Sequence, residues 1–206
     1  MDLPLQLIVL SIPSLIYVAV HRRRGEKWTE VSRKIGWQGS RPIYFLWSLG
    51  VVIIAGGLGW LAFQAVPAQV LQDPNINIRD YAGWTLSVTA FLLVWLREAI
   101  YVALGEEILF RGFLGGWLVR RLGFAIGNTV QALVFLLPHL LLLLVSLNFW
   151  PIIAVQMVAG WLLGWLRYRS DSILPGWLAH SLTNAFGALA AMLTVRSFLD
   201  KFPELG

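Results

Sequence analysis

Gly105-Glu106-Glu107-Ile108-Leu109-Phe110-Arg111 sets two adjacent carboxylates and a guanidinium inside a long apolar run, Ala99 to Val119. Charges in or beside hydrocarbon are costly unless paired or hydrated, so an ionisable cluster there is a functional-site candidate by default. Helical spacing separates the three residues. Glu107 and Arg111 are four apart, with the acid on the N-terminal side, and meet on one face in the favourable orientation. Glu106 points about 100° away from Glu107 on an ideal helix. Arg111 therefore neutralises Glu107 and leaves Glu106 to titrate. A charge cluster at a helix end also serves as a plain topology anchor, and this stretch alone does not separate the two readings.

The rest of the chain decides what surrounds the cluster. Of 206 residues, 58% are hydrophobic and 13% charged, with eleven Trp, and the mean hydropathy is +0.70. That profile belongs to a polytopic membrane protein, not to a soluble domain. A spanning backbone must satisfy its own hydrogen bonds, and no period-2 alternation of barrel type is visible, so the spans are helices. The net charge of +5 does not point to nucleic acid, because the cations sit in short loops between apolar spans. With no Cys in the sequence, disulfides, a thiol nucleophile, Cys-based metal sites and lipidation of the chain itself are excluded. The first apolar run does not read as a cleavable signal peptide, since Asp2 stands where a basic region is needed and the cations follow the run.

Six spans are expected, near Leu3–Val20, Ile43–Val66, Tyr81–Gly105, Phe124–Leu147, Pro151–Leu166 and Ser172–Val195. The fold class is all-α, a polytopic membrane helical bundle of about six transmembrane helices forming one domain over residues 1–206. The first span contains Pro4 and Pro13. His21–Arg41 is a polar basic segment whose Trp28 and Trp37 suit an interface, and Pro67–Asp80 reads as a short polar loop. Leu122–Leu166 has no Asp, Glu, Lys or Arg, so it is a hairpin turning near Asn148–Pro151. With both termini outside, one face receives Arg22, Arg23, Arg24, Lys27, Arg33, Lys34, Arg41, Arg111, Arg120, Arg121, Arg167 and Arg169. The other receives Arg79, Arg196 and Lys201, and Arg97 falls within the third span. Twelve against three makes the first face cytoplasmic and puts the Glu pair near the cytoplasmic end of span three. A second arrangement breaks the helix at Arg97-Glu98 and makes Ala99–Val119 a span of its own. It carries Arg120 and Arg121 outward and ranks lower. Gly160 and Gly164 form a small-xxx-small pair that suits helix packing.

Polar groups inside the spans are few. His21 lies in the basic segment as an interfacial residue, whereas His139 and His180 lie within apolar spans. Phe135 precedes His139 by four residues, so ring and imidazole share a face. Pro138 removes a backbone donor beside it, freeing the carbonyl of Val134. The plain alternative is a kinked span whose His bonds a neighbouring carbonyl. His180 is followed four residues later by Asn184, downstream of Pro175-Gly176 and of Asp171 or Ser172 as a cap. Asn184 is placed to hold an imidazole nitrogen or to donate to an oxyanion. Its plain alternative is an interhelical hydrogen bond.

Glu106-Glu107-x-x-x-Arg111, Phe135-x-x-x-His139 and His180-x-x-x-Asn184 thus fall in order on three spans. This set resembles the CPBP family of intramembrane proteases (CAAX protease and bacteriocin-processing, or Abi), whose eukaryotic relatives are the Rce1-type CAAX prenyl endopeptidases. The resemblance covers about residues 81–195, the family-like catalytic core. Residues 1–80, two spans and the basic cytoplasmic loop, carry no family motif. The resemblance implies that Glu106 activates water with help from His139, that His180 and Asn184 form the oxyanion site, and that Glu107, Arg111 and Phe135 support them.

Chemistry alone is compatible with that assignment. A Glu, two His and an Asn in a wet pocket suit amide hydrolysis, with a desolvated carboxylate as general base and a donor cluster for the tetrahedral oxyanion. A metal stays open: His139, His180 and Glu106 suffice as zinc ligands with water as the fourth, but no His-Glu-x-x-His is present, and a ligating Glu106 leaves no base unless Glu107 serves. One depth does not match. From Phe124, His139 lies about 22 Å along its span, while His180 lies about 12 Å from Ser172; a later start to span four, with Asn128 and Gln131 near the interface, reconciles them.

Three functions compete. The first is an intramembrane endopeptidase acting near the cytoplasmic face of a bacterial-type plasma membrane on a hydrophobic or lipidated peptide or membrane-protein substrate. The second is a non-catalytic scaffold or bacteriocin-immunity-like protein of the same fold. The third, a proton-coupled transporter, lacks repeated halves and paired broken helices. Membrane lipid is the common partner in all three, and nucleic acid in none.

Overall fold

The computed structural model describes residues 4–67, 70 and 87–201. Leu3, most of the expected loop Pro67–Asp80 with Arg79 in it, and the expected start of span three at Tyr81 lie outside these. Among the described residues all regular structure is helical.

α1, Leu5–Arg23, begins behind Pro4 and ends on His21, Arg22 and Arg23, cations that suit a helix C-terminus. Leu5, Ile8, Val9, Ile12 and Ile16 are exposed and only Ser14 is buried, the pattern of a helix whose outer face meets lipid. The basic segment is not a simple linker. It contains α2, Trp28–Lys34, whose Glu30 carboxylate accepts from the Lys27 backbone at 3.3 Å. α2 buries Val31 and Ser32 against the bundle. The chain then turns at Gly36, φ 69°, and the Gly36 carbonyl accepts from Ile173 N at 3.0 Å. α3, Pro42–Ala65, has Pro42 in its first turn and agrees with the expected span within one residue.

The next helix departs from expectation. Ser87 caps it, its hydroxyl accepting from Ala90 N at 3.0 Å. α4, Val88–Arg97, then runs without a break into a π-helical segment, Glu98–Ala103, α5, Leu104–Glu106, a second π segment, Glu107–Gly115, and α6, Gly116–His139. Neither the expected end at Gly105 nor a break at Arg97-Glu98 occurs. The three charges that looked like a helix end are neutralised laterally, so nothing stops the helix until Gly123. There φ is 75° and ψ 169° inside α6, a conformation that side-chain-bearing residues rarely adopt. Glu106 consequently lies in mid-helix, about 27 Å past Val88 and about 24 Å before Leu122.

At Gly123 the chain doubles back, and residues equidistant from it face each other. A Cβ on Gly127 would lie 2.7 Å from the Leu118 backbone, and one on Gly115 would lie 3.2 Å from Gln131 Cγ. The Phe110 and Phe135 rings meet at 5.2 Å. One more turn of this register sets Glu106 opposite His139.

α7, Leu142–Val145, and a 3₁₀ turn, Leu147–Phe149, form the hairpin near Asn148–Pro151. α8, Trp150–Ser170, returns beside α6 and stops at Asp171, φ 56°. Gly160 and Gly164 give the close approach: a Cβ on Gly164 would lie 1.8 Å from Asn128 Oδ1, and one on Gly160 would lie 2.9 Å from Phe135 Cδ1. α9, Leu174–Lys201, packs along α3, burying Ala179 with Val51, Leu163 and Leu166. Among the described residues, four stretches are long and apolar enough to cross a membrane: Leu5–Arg23, Pro42–Ala65, Val88–Val145 and Leu147–Ser170. The third folds at Gly123 into two antiparallel limbs, which covers two of the six expected spans. The protein is a helical membrane bundle.

Candidate active site

Glu106, Phe135, His139, His180 and Asn184 all line one cavity of about 980 Å³, together with Gln6, Glu98 and Gln156. Glu107 and Arg111 stand behind it. Both are wholly buried, and Arg111 Nη1 lies 3.0 Å from Glu107 Oε1. Arg111 also rests on the Phe135 ring, 4.0 Å from its centroid, and donates to Gly160 O at 3.4 Å. Phe135 in turn touches the imidazoles of His139, at 4.6 Å, and His180, at 6.0 Å.

The helices set these positions. α9 is rotated into place by Trp177, whose Nε1 donates to Ala99 O at 2.8 Å, and by Trp95, whose Nε1 donates to Ser181 Oγ at 3.0 Å. His180 Nδ1 lies 2.9 Å from Glu107 Oε1, and its Nε2 lies 3.6 Å from Glu106 Oε2. A carboxylate only accepts, so Nδ1 carries a proton. The imidazole is thus held by Glu107 and lies beside Glu106 without a hydrogen bond to it. That extends one expectation, since the Glu107–Arg111 pair forms as expected, and corrects another. Glu107 is shared between Arg111 and His180, and the residue holding the imidazole is Glu107, not Asn184. Asn184 Nδ2 donates instead to Glu98 Oε2, at 3.4 Å.

His139 Nδ1 donates to Phe135 O at 2.9 Å, because a carbonyl only accepts. In the neutral ring Nε2 is then the basic nitrogen. The acceptor is the carbonyl four residues back, as the plain alternative for this span expected. Glu106 Oε1 accepts from Gln6 Nε2 at 2.8 Å, while its Oε2 is buried and without a hydrogen-bond partner. That oxygen is placed to take a hydrogen bond from a water in the cavity.

The mismatch in depth disappears in three dimensions. The turn at residues 35–36 touches both the glutamate-bearing helix and the start of α9: a Cβ on Gly112 would lie 2.7 Å from Ile35 O, and Gly36 O holds Ile173 N. Glu106 is about 9 Å along its helix from Gly112, and His180 about 9 Å along α9 from Leu174. His139 reaches the same level because of the Gly123 register.

Two cavity residues that hydrogen-bond the expected set escaped sequence reading. Glu98 lies eight residues before Glu106, two helical turns back, a spacing that hints at a shared face; beside Arg97 (Nη1 3.6 Å from Glu98 Oε1) it looked like a helix boundary. Gln6 comes from α1, a hundred positions away, and no local pattern announces it.

The donor set does not fit a catalytic metal. Among the described residues, no three His, Cys, Asp or Glu side chains are grouped so as to hold one.

Residues 88–186 match the family model of Rce1-like type II CAAX prenyl endopeptidases. This segment includes all three motifs. No curated protein and no solved structure matches the chain.

Proposed function

With residues 88–186 belonging to the Rce1-like CAAX prenyl endopeptidase family, we propose that this protein is an intramembrane endopeptidase that hydrolyses a peptide bond with a glutamate-activated water. The observation carrying this reading is the environment of Glu106. One oxygen is held by Gln6 and the other is buried, unpartnered and beside a cavity shared with two imidazoles and an amide.

Water donates to Glu106 Oε2, with His139 Nε2 as its second acceptor, and attacks the scissile carbonyl. Glu106 takes the proton, and the carbonyl electron pair moves onto oxygen. Asn184 has two amide protons; one goes to Glu98 and orients the group, and the other meets the oxyanion. His180, held through Nδ1 by Glu107, donates to the same oxygen when its Nε2 carries a proton. Collapse of the intermediate returns the proton from Glu106 to the leaving amine. Glu107 and Arg111 position His180. Phe135 keeps Arg111 and both imidazoles in register.

The cation-rich face, holding the turns at residues 35–36 and 171–173, lies at the cytoplasm of a bacterial-type plasma membrane. The site about 9 Å below it takes a hydrophobic or lipidated peptide from that side, or from the bilayer. The test is cleavage of a lipidated C-terminal peptide, or of a membrane-protein fragment, by the reconstituted protein. Glu106→Gln is expected to abolish cleavage with insertion and melting preserved. Normal cleavage by that variant would show that another group activates the water. A phenotype that persists in it without cleavage by the parent would favour a scaffold.

A further inference from the structure

A second cavity, about 420 Å³, opens at the cation-rich end on the far side of Arg111. Its walls carry Arg33, Lys34, Arg111, Arg120 and Arg167, against a single carboxylate, Asp171. Three of these cations are already answered. Glu107 neutralises Arg111 from the active-site side, Glu26 pairs with Lys34, and Asp171 lies 3.3 Å from Arg167. Arg33 and Arg120, the latter donating to Lys34 O and Tyr17 Oη, are left as a surplus of positive charge around the cavity.

The cavity floor is polar, and parts of it lack partners. Gln131 is fully buried, yet neither atom of its amide has a hydrogen-bond partner. Arg111 Nε and Arg167 Nε are likewise buried and unpartnered. Gln131 and Arg111 line the cavity, whereas Arg167 Nε lies against Gly36; buried polar groups left unpaired are costly, so the first two are better explained by a ligand than by packing. The missing partner must mainly accept from guanidinium and amide N–H groups, and must carry negative charge. A phosphate does both, with several acceptor oxygens on one centre. The volume far exceeds the ~30 Å³ share of one water, and basic pockets between helices at a cytoplasmic face suit anionic headgroups.

We propose that this cavity binds a phosphate-bearing anion, either a phospholipid headgroup or free phosphate. The anion sits on Gln131 and Arg111, with Arg33 and Arg120 beside it and Arg167 adding charge to the wall. Because Arg111 also holds Glu107, and Glu107 holds His180, the site adjoins the chain of contacts that orients the catalytic imidazole.

The test is the melting temperature of the full chain in nanodiscs. In phosphatidylcholine discs, inorganic phosphate is added; in a second arm, phosphatidylglycerol replaces part of the phosphatidylcholine. Binding is expected to raise the melting temperature by roughly 5–10 °C at a hundredfold excess over Kd. A headgroup site responds to phosphatidylglycerol, with inorganic phosphate as a weak competitor. A free-phosphate site responds to phosphate and ignores the lipid change. Gln131→Leu and Arg33→Gln are expected to remove the shift. Arg23→Gln, an exposed cation outside the cavity, is expected to keep it. Should Gln131→Leu not fold, Arg33→Gln decides, since Arg33 is exposed and the bundle uses its carbonyl instead of its side chain. The proposal is overturned by no shift in either arm, or by a shift that Arg33→Gln retains or that Arg23→Gln loses equally.

Discussion

The two adjacent glutamates should respond oppositely to neutralisation, although both are buried. Glu107→Gln leaves Arg111 wholly buried with its charge no longer balanced at 3.0 Å. Removing one partner of a buried ion pair costs about 3–5 kcal/mol. At roughly 2–4 °C per kcal/mol for a chain of this size, the melting temperature should fall by roughly 6–20 °C. Glu106→Gln retains an oxygen for Gln6 and replaces an atom that has no partner, so its cost should stay within about 1 kcal/mol. The double variant Glu107→Leu/Arg111→Met supplies the control. It removes both charges, and the Met thioether can occupy the face of Phe135 that Arg111 covers at 4.0 Å. It should recover most of the loss, short by about 1–3 kcal/mol because His180 Nδ1 loses its acceptor. Thermal melts of the parent, Glu107→Leu, Arg111→Met and the double variant in one detergent make up the cycle, with Glu107→Gln and Glu106→Gln melted beside them. Strictly additive losses from Glu107→Leu and Arg111→Met, or a Glu106→Gln penalty equal to that of Glu107→Gln, would refute the division between a supporting and a working carboxylate.

Glu98→Ala should lower kcat by about tenfold to a hundredfold with KM nearly unchanged, because Asn184 loses the group that orients its amide; an unchanged kcat in steady-state peptide cleavage removes Asn184 from the oxyanion site. Gly164→Ala forces a methyl to within 1.8 Å of Asn128 Oδ1 and should destabilise by about 1–3 kcal/mol, read as a lower melting temperature. Glu26 is held below the usual carboxylate range by Lys34 and then His21. A depressed carboxylate stabilises above its unfolded value and loses that contribution as pH falls through the folded one, so hydrogen exchange in α2 should quicken on acidification below the ordinary carboxylate range. Glu26→Gln should abolish that dependence.

Much of the architecture is written in local pattern. α3 agrees with its expected span within one residue, and the Asn148–Pro151 hairpin forms where a charge-free stretch needed to turn. Three short motifs, each four residues apart on one helix face, sufficed to pick out Glu106, His139, His180 and Asn184, because ionisable groups are rare in such spans. Hydropathy failed at the helix that carries the glutamates. It reads charge as an interface, whereas a guanidinium one turn away and an imidazole from α9 let the helix continue buried.

From sequence alone, then, follow the membrane class, the helical fold, the i,i+4 pairing of Glu107 with Arg111 and the set of cavity residues on three separate helices. Each depends on composition or on spacing within a turn. Tertiary structure alone decides who partners whom across helices: His180 with Glu107, Asn184 with Glu98, and Glu106 with Gln6. Such pairings depend on helix rotation and register. A single glycine at position 123, by reversing the chain, sets Glu106 opposite His139 in a way that no spacing along the chain encodes.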